Sequence, residues 1–405
     1  MMVHLGIIGY GARMDMLMDD LLTLPYEVQI KAIADINPER VRALMTKAES
    51  PETMHRLNID KIDGMLRKCP MNPDDIAFYT DADCMLNAEK LDGVLIGTNC
   101  DTHAALAQKV LARNIPLFLE KPVATTLADL KSLSDCEKAS NVPVVVSFPL
   151  RVTALVKEVK RLLNDGVIGK VEHVQAFNDV AYGFVYFHDW YRNEAVSHGL
   201  FLQKATHDID VLNYLLDERA VEVCAMKSKQ IYKGSMPANL RCSECDKWEE
   251  CPDSTYNLLH KRGDTPRSDF CGFAVDTGNE DSGSMLVRYE SGMHIMYSQN
   301  FFARKKAARR GARLYGYKGT LEFNFATNSI QLYDHMSDKV TVIQMPEAVT
   351  GHGGGDEVLA GNFVRLILGK DTQSVAPLRA GIDSALTCML AKQSAEEKKF
   401  FTVEL

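Results

Sequence analysis

The chain has no run of about 18 apolar residues, so no segment reads as a membrane-spanning helix. Its opening, MMVHLGIIGYGARM, has no basic stretch and too short an apolar run for a secretory signal peptide. Positive charge is not in excess. The formal net charge is −8 at pH 7, which gives no reason to expect nucleic acid or an acidic membrane surface as partner. A disulfide framework is missing as well. Of ten cysteines, all but Cys242, Cys245, Cys251 and Cys271 are scattered, a usage that suits a reducing cytoplasm. No internal repeat or low-complexity segment is evident. What is present is an ordinary globular composition, 46% hydrophobic and 25% charged over 405 residues. That is enough for a large core and suggests two domains.

Residues 1–150 alternate apolar runs with helix-like stretches. The run 3–8 ends in Gly9-Tyr10-Gly11, a helical stretch follows over 14–24, and a second run, 28–34, ends in Asp35. Further strand-like runs cover 93–97, 115–119 and 142–148, separated by helical segments over 101–113 and 127–140. This alternation predicts a parallel, doubly wound sheet. Such sheets bind ligands beyond the carboxyl ends of their strands, and the informative residues fall there. Gly9 suits a tight turn. Gly11 lets backbone approach a pyrophosphate held at the next helix N-terminus. Asp35 stands 24 residues after Gly11, where an acid meets the adenosine ribose hydroxyls. A carboxylate there repels a 2′-phosphate and favours NAD, while Arg40 keeps NADP open. The third glycine of G-x-G-x-x-G is absent: Met14 replaces it, so the helix is expected to sit differently on its strand.

Eight stretches, in order, resemble one family: IGYGAR (8–13), ADINPER (34–40), TNCDTH (98–103), EKP (120–122), GVIGKV (166–171), KATHDIDVLNYLL (204–216), GYKGTLEF (316–323) and GHGGGD (351–356). They resemble the Gfo/Idh/MocA superfamily of nicotinamide-dependent sugar and polyol oxidoreductases, over nearly the whole chain. EKP with a downstream H-D-x-D is the specific pair. The resemblance implies an α/β plus α+β architecture. Residues 1–150 would form a Rossmann domain, and 151–405 a second α/β domain with a large, mostly antiparallel sheet. Nicotinamide and a sugar-like substrate would lie in the crevice between them. The implied cofactor contacts are Gly9, Gly11, Ala12, Arg13, Asp35, Arg40, Thr98, Asn99, His103, Glu120 and Lys121, with Arg151 near the nicotinamide. Assembly as a homodimer or homotetramer through the open face of the second sheet is also implied.

Oxidising an alcohol requires a hydride acceptor, a group that takes the hydroxyl proton and a donor to the nascent carbonyl oxygen. Lys121 can donate to that oxygen, and a partly desolvated lysine gives up its proton more readily. Pro122 restricts Lys121 to extended backbone and admits a cis peptide. The plain alternative is a solvated lysine at a strand exit. His207 is read as opening an apolar-periodic helix, where the N-terminal dipole would keep its imidazole neutral and basic. Asp210 shares its face and could orient the ring. Many dehydrogenases of this family carry an aspartate four residues before the histidine, but this chain has Gln203, which cannot take a proton. Lys204 beside it is expected to bind substrate hydroxyls. In GHGGGD, Asp356 is expected to cap a helix over 357–368. The glycines would allow backbone to approach a ligand and His352 to reach it.

Two further clusters stand out. Arg304-Lys305-Lys306 and Arg309-Arg310 with Arg313 read as a solvated hairpin, or else as a site for an anionic substrate or a subunit contact. Residues 234–275 look inserted. Their Cys242-x2-Cys245-x5-Cys251 and Cys271 resemble a structural zinc site, with His260 as an alternative ligand and free thiols as the ordinary reading. The expected function is hydride transfer between a nicotinamide and a hydroxyl-bearing carbon of a sugar, cyclitol or sugar derivative. Two alternatives stay open: a glycosidase using transient oxidation by bound NAD, which glycine-rich loops like 351–356 accompany in this superfamily, and a non-catalytic dinucleotide or sugar sensor.

Overall fold

The first apolar run, Val3–Ile8 (β1), is an inner strand of a six-stranded parallel sheet. The computed structural model describes residues 2–46, 71–264, 266, 268–346 and 351–405. The chain divides into two compact units, one of Met1–Thr153 with Ala348–Ala385, the other of Ala154–Glu347 with Leu386–Leu405. A single cut near residue 150 therefore misplaces one segment, since 348–385 returns to the first unit. The cause is long-range packing within that unit. The helix Gly355–Ile367 buries Leu359 and Phe363, and the Phe363 ring meets Phe118 edge-on with centroids 5.8 Å apart. Nothing local in the sequence signals that partner.

The other strands of this sheet are β2 (Val28–Ala34), β3 (Ala77–Tyr79), β4 (Gly93–Ile96), β5 (Leu117–Leu119) and β6 (Val144–Val146), in the order β3-β2-β1-β4-β5-β6. Strands β4, β5 and β6 are buried throughout, as expected of a parallel sheet covered on both faces. Register sets what lies at the carboxyl edge. Ile8 pairs with Ala34 and with Ile96, and Leu119 pairs with Ile96 and Val146. Gly9, Asp35, Gly97, Glu120 and Ser147 therefore follow side by side. The first helix, Ala12–Leu22, starts inside the glycine motif rather than at residue 14. The missing third glycine is accounted for across the sheet. A Cβ on Gly97 would lie 2.4 Å from Met14 Cγ, so the small residue has moved to the end of β4 and the methionine fills its space. Gly97→Ala is expected to cost about 1–3 kcal/mol, part of it recovered by Met14→Ala in the double variant. Strictly additive losses in urea denaturation would remove this account.

The second unit is built on a nine-stranded sheet. Its strands are β7 (Val171–Asp179), β8 (Ala220–Ser228), β9 (Ser282–Tyr289), β10 (His294–Asn300), β11 (Arg309–Gly316), β12 (Gly319–Asn324), β13 (Ser329–Asp334), β14 (Val340–Gln344) and β15 (Phe401–Thr402). They run in the order β14-β13-β12-β11-β7-β10-β9-β8-β15. The pairings are antiparallel except β7 with β10. Burial alternates along β9 and β10, so one face packs and the other is open. The packed face carries Val287, Tyr289, Ile295 and Tyr297. Gly283 on the same face accepts the Phe201 ring, since a Cβ there would lie 2.6 Å from it. No helix among the described residues is long and apolar enough to cross a membrane.

Candidate active site

The loop after β1 has two glycines with different jobs. Gly9 has φ +80°, and a Cβ on it would lie 2.4 Å from Thr98 Cγ2 and 2.8 Å from the Thr98 backbone. The turn needs glycine for both reasons. Gly11, by contrast, has an ordinary φ of −99°, and a Cβ there would meet only the Gly97 carbonyl at 3.9 Å. Its small size leaves room above the N-terminus of helix Ala12–Leu22, where the first N–H groups have no partner within the helix. Asp35 is buried at the end of β2. Its Oδ2 accepts from Tyr10 N–H at 2.9 Å and its Oδ1 from Asn37 N–H at 2.8 Å. A carboxylate offers about four lone-pair positions, so capacity for ribose hydroxyls remains. Arg40 is held in the same corner, donating to the Tyr10 carbonyl at 3.0 Å and lying 3.7 Å from Asp35.

Arg13, the last residue of IGYGAR, links three motifs that are far apart in sequence. Its Nε donates to Glu120 at 2.9 Å, Nη2 to Ser147 Oγ at 3.0 Å and Nη1 to Asp356 at 3.0 Å. His352 Nδ1–H donates to the same Asp356 at 2.7 Å. Burial opposes ionisation of Asp356, but hydrogen bonds from His352 and Arg13 outweigh it and hold its pKa at about 2. Burial likewise opposes charge on Arg13, and Glu120 and Asp356 more than restore it, so its pKa rises. Asp356 is thus not the expected helix cap. Gly354, at φ +80°, precedes the helix Gly355–Ile367 and makes no side-chain cap. The glycine run also serves packing. A Cβ on Gly355 would lie 2.0 Å from the Pro149 carbonyl oxygen, and one on Gly353 would lie 3.1 Å from Thr153 Cγ2.

The Lys121–Pro122 peptide is cis. Glu120 and Pro122 are buried on either side of the half-buried Lys121. His103 is buried, with Nδ1 2.8 Å from the Pro122 carbonyl and Nε2 3.2 Å from the Thr98 carbonyl. Burial depresses its pKa, against the pull of the Pro122 carbonyl. A neutral ring donates through one nitrogen only, and the shorter contact favours Nδ1–H. His103 therefore donates to the Pro122 carbonyl and fixes the loop that follows Lys121. Thr98 Oγ1 lies 2.6 Å from Thr102 Oγ1, and Asn99 is exposed beside them. Arg151 is also turned inward, donating to the Val375 carbonyl at 3.2 Å.

In the second unit His207 does not open its helix. A π-helical turn, Phe201–Ala205, runs directly into Thr206–Leu216. The helical N–H groups of Leu200 and Phe201 are satisfied by the buried Glu280 carboxylate, at 2.8 and 3.0 Å. The argument that a helix N-terminus keeps His207 neutral therefore fails. Gln203 is buried and its amide donates to the Ser197 carbonyl at 2.6 Å. A carboxylate in that place would face an oxygen, which is a physical reason for the amide. Lys204 is buried, with Nζ donating to the Tyr182 hydroxyl. Asp210 is buried. Its neighbour Asp208 anchors the region, accepting from Asn178 at 2.7 Å, Tyr297 OH at 2.8 Å and Arg310 Nε at 2.6 Å.

Comparison with known proteins places the chain. Residues 3–148 match the model of an oxidoreductase family with an NAD-binding Rossmann fold, and 156–322 match the Gfo/Idh/MocA C-terminal domain. The Bacillus subtilis oxidoreductase-family protein YteT is 30% identical over 347 residues, covering 76% of this chain and 79% of that one. The chain belongs to the Gfo/Idh/MocA family of oxidoreductases. Myo-inositol 2-dehydrogenase of Thermotoga maritima is 25% identical over 224 residues, 55% of this chain and 58% of that protein. A solved levoglucosan dehydrogenase, in complex with NADH and levoglucosan, has the same fold, with a TM-score of 0.73 at 17% identity over 100% of both chains.

Two clusters singled out in the sequence of this Gfo/Idh/MocA chain are sharpened by the structure. In the basic run Lys305, Lys306 and Arg309 are exposed, as expected of a solvated hairpin, while the arginines also form ion pairs. Arg304 pairs with Asp253 at 2.7 Å, Arg309 with Asp179 at 2.7 Å, Arg310 with Asp208 at 2.6 Å and Arg313 with Glu322 at 3.4 Å. The expected zinc site is not shown. Among the described residues no group of three or more His, Cys, Asp or Glu side chains is placed to hold a metal ion. Cys242, Cys245, Cys251 and Cys271 are free thiols, and burial raises the pKa of Cys242, Cys251 and Cys271. The segment is tied instead by the bridge Arg241–Phe270 and by buried Asp253, which accepts from Tyr232, Arg262 and Arg304. The sequence reading missed Tyr182 and the pairing of Arg310 with Asp208. Asp208 stood within the quoted H-D-x-D, but only the sheet register brings Arg310 to it.

Proposed function

We propose that this protein is an NAD-dependent dehydrogenase acting on a CH–OH carbon of a sugar, cyclitol or sugar derivative. The carrying observation is the carboxyl edge of the first sheet, where Gly9, Asp35, Gly97 and the Glu120-Lys121-Pro122 motif follow adjacent strands. The Gly9–Gly11 turn and the following helix start suit a pyrophosphate. Asp35 suits the ribose hydroxyls and repels a 2′-phosphate, and Arg40 is engaged with Asp35 and Tyr10, which supports NAD over NADP. When bound, the nicotinamide supplies the hydride acceptor. Lys121 is assigned to the reacting oxygen and His207 to its proton. Arg13, His103, Arg151 and Gln203 are assigned to holding those groups in place, since each makes an inward contact. His352, Lys204 and Asp210 are assigned to the substrate side.

Nine free thiols among the described residues suit a reducing compartment, the cytoplasm. Met226, Leu286 and Met296 are exposed on strands of the second sheet, which supports assembly as a homodimer or homotetramer. Mass spectrometry of the purified protein should find NAD. Sedimentation of the same sample should exceed the 45.2 kDa monomer. A screen of polyols, sugar acids and aryl glycosides should then yield reduced nicotinamide with a polyol or sugar. Aglycone release without net reduction would assign the protein to redox-assisted glycoside cleavage. Bound NAD with no turnover of either kind would remove the catalytic reading.

A further inference from the structure

The first unit holds a clamp that reaches beyond the lysine loop. Gly11 precedes the helix Ala12–Leu22, and the first bond within that helix runs from Asp15 N–H to the Gly11 carbonyl at 3.0 Å. The N–H groups of Ala12, Arg13 and Met14 come before it, where a helix start holds an anion. Their aim depends on how this first turn is seated on the sheet. In the usual glycine fingerprint, close packing at the third glycine sets that seat. Here Met14 is buried at that position and fills the space beside Gly97, so side chains must set it.

Arg13 is the second residue of this turn. Its guanidinium is held from three elements: by Glu120 after β5 at 2.9 Å, by Ser147 after β6 at 3.0 Å, and by Asp356 in the first turn of the helix Gly355–Ile367 at 3.0 Å. All four residues belong to the first unit. The three acceptors are buried, so water does not readily replace these bonds. Two carboxylates face one guanidinium, which makes Arg13 a strut rather than a spare cation for a phosphate. Asp356 also accepts from His352 Nδ1–H at 2.7 Å. His352, Gly353 and Gly354 are all left-handed, with φ of +49°, +67° and +80°. That conformation is unfavourable for a residue with a Cβ, and the bond to Asp356 holds His352 in it. One carboxylate therefore fixes both the glycine-rich turn and Arg13.

We propose that Asp356 is a positioning residue of the dinucleotide site: through Arg13 it seats the helix start that receives the pyrophosphate, and cofactor binding is thereby coupled to the docking of the helix Gly355–Ile367. The inference rests on the NAD reading above. It gives a residue 343 positions after Arg13 an effect on the cofactor without contact with it. The coupling is reciprocal. Whatever Asp356 adds to NAD affinity, bound NAD returns as resistance of that helix to opening.

Calorimetric titration of the cofactor-free proteins with NAD tests this. Asp356→Asn keeps the side-chain shape but removes the charge, and should raise the Kd for NAD about 10-fold, the scale of one charge-assisted hydrogen bond. With any substrate that the screen finds, KM for NAD should rise by a similar factor while kcat changes little. Arg13→Gln should weaken binding too, and the double variant should bind no more weakly than the poorer single one, because both changes cut the same chain of contacts. A folded Asp356→Asn protein that binds NAD like wild type overturns the proposal, and so do losses that simply add. Hydrogen exchange needs no variant. Saturating NAD should slow exchange of the amides in 355–367 of the wild-type protein about 10-fold. Unchanged exchange there overturns the proposal even if neither variant folds. A wild-type protein that binds no NAD overturns the NAD reading and the inference together, whereas the other failures leave that reading intact.

Discussion

Replacing Lys121 with alanine should lower kcat by about 10²- to 10⁴-fold, the usual range for a positioned proton-transfer group. Binding of NAD should change little. The side chain is half-buried at the end of a fully buried strand, so truncating it empties no core. The residues on either side of it are held independently, Glu120 by Arg13 on its carboxylate and Pro122 by His103 on its carbonyl. The loss should therefore fall on kcat rather than on KM, as for an interaction made mainly in the transition state. Arginine would restore charge but not a compact, rotatable ammonium, so Lys121→Arg should recover little. Stopped-flow and steady-state assays with whichever substrate the screen identifies would check this. A kcat that survives the alanine change would end the assignment of Lys121 to the reacting oxygen.

Arg13→Ala is expected to destabilise the first unit by about 3–5 kcal/mol, because it leaves the buried Glu120 and Asp356 without their shared cation. That is a large part of the total stability of an ordinary domain, about 5–15 kcal/mol. The pH dependence gives an independent readout. The folded pKa of Asp356, about 2, lies below its ordinary value of 3.8. A depressed carboxylate contributes stability that is present above the unfolded pKa and lost as pH falls through the folded one. For Asp356 the window runs from about pH 4 down to about pH 2, and the contribution is roughly 2–3 kcal/mol. Arg13→Ala removes one of the two groups that depress this pKa, with His352 left as the other. The gap between wild type and variant should therefore be wide at neutral pH and narrow toward pH 3. Urea denaturation at both pH values tests this, and a gap that does not change with pH would rule out the ionic account.

What sequence alone determined here is local. The alternation of apolar runs and helices marks the parallel sheet, Gly9 meets a backbone requirement that only glycine satisfies, and Asp35 follows the second strand at a readable spacing. Each depends on residues near one another in the chain, through side-chain periodicity or a single φ angle. Tertiary structure decided the rest. It returned residues 348–385 to the first unit, joined Arg13 to Glu120 and Asp356, and sank Arg310 onto Asp208. It also moved the helix start from His207 back to Leu200, with Glu280 as its acceptor, and placed buried Lys204 against Tyr182. These are meetings of charges and polar groups across tens to hundreds of residues. A carboxylate has the same identity in the sequence whether it faces water or a buried guanidinium, so its partner and its ionisation are set only when packing removes the water.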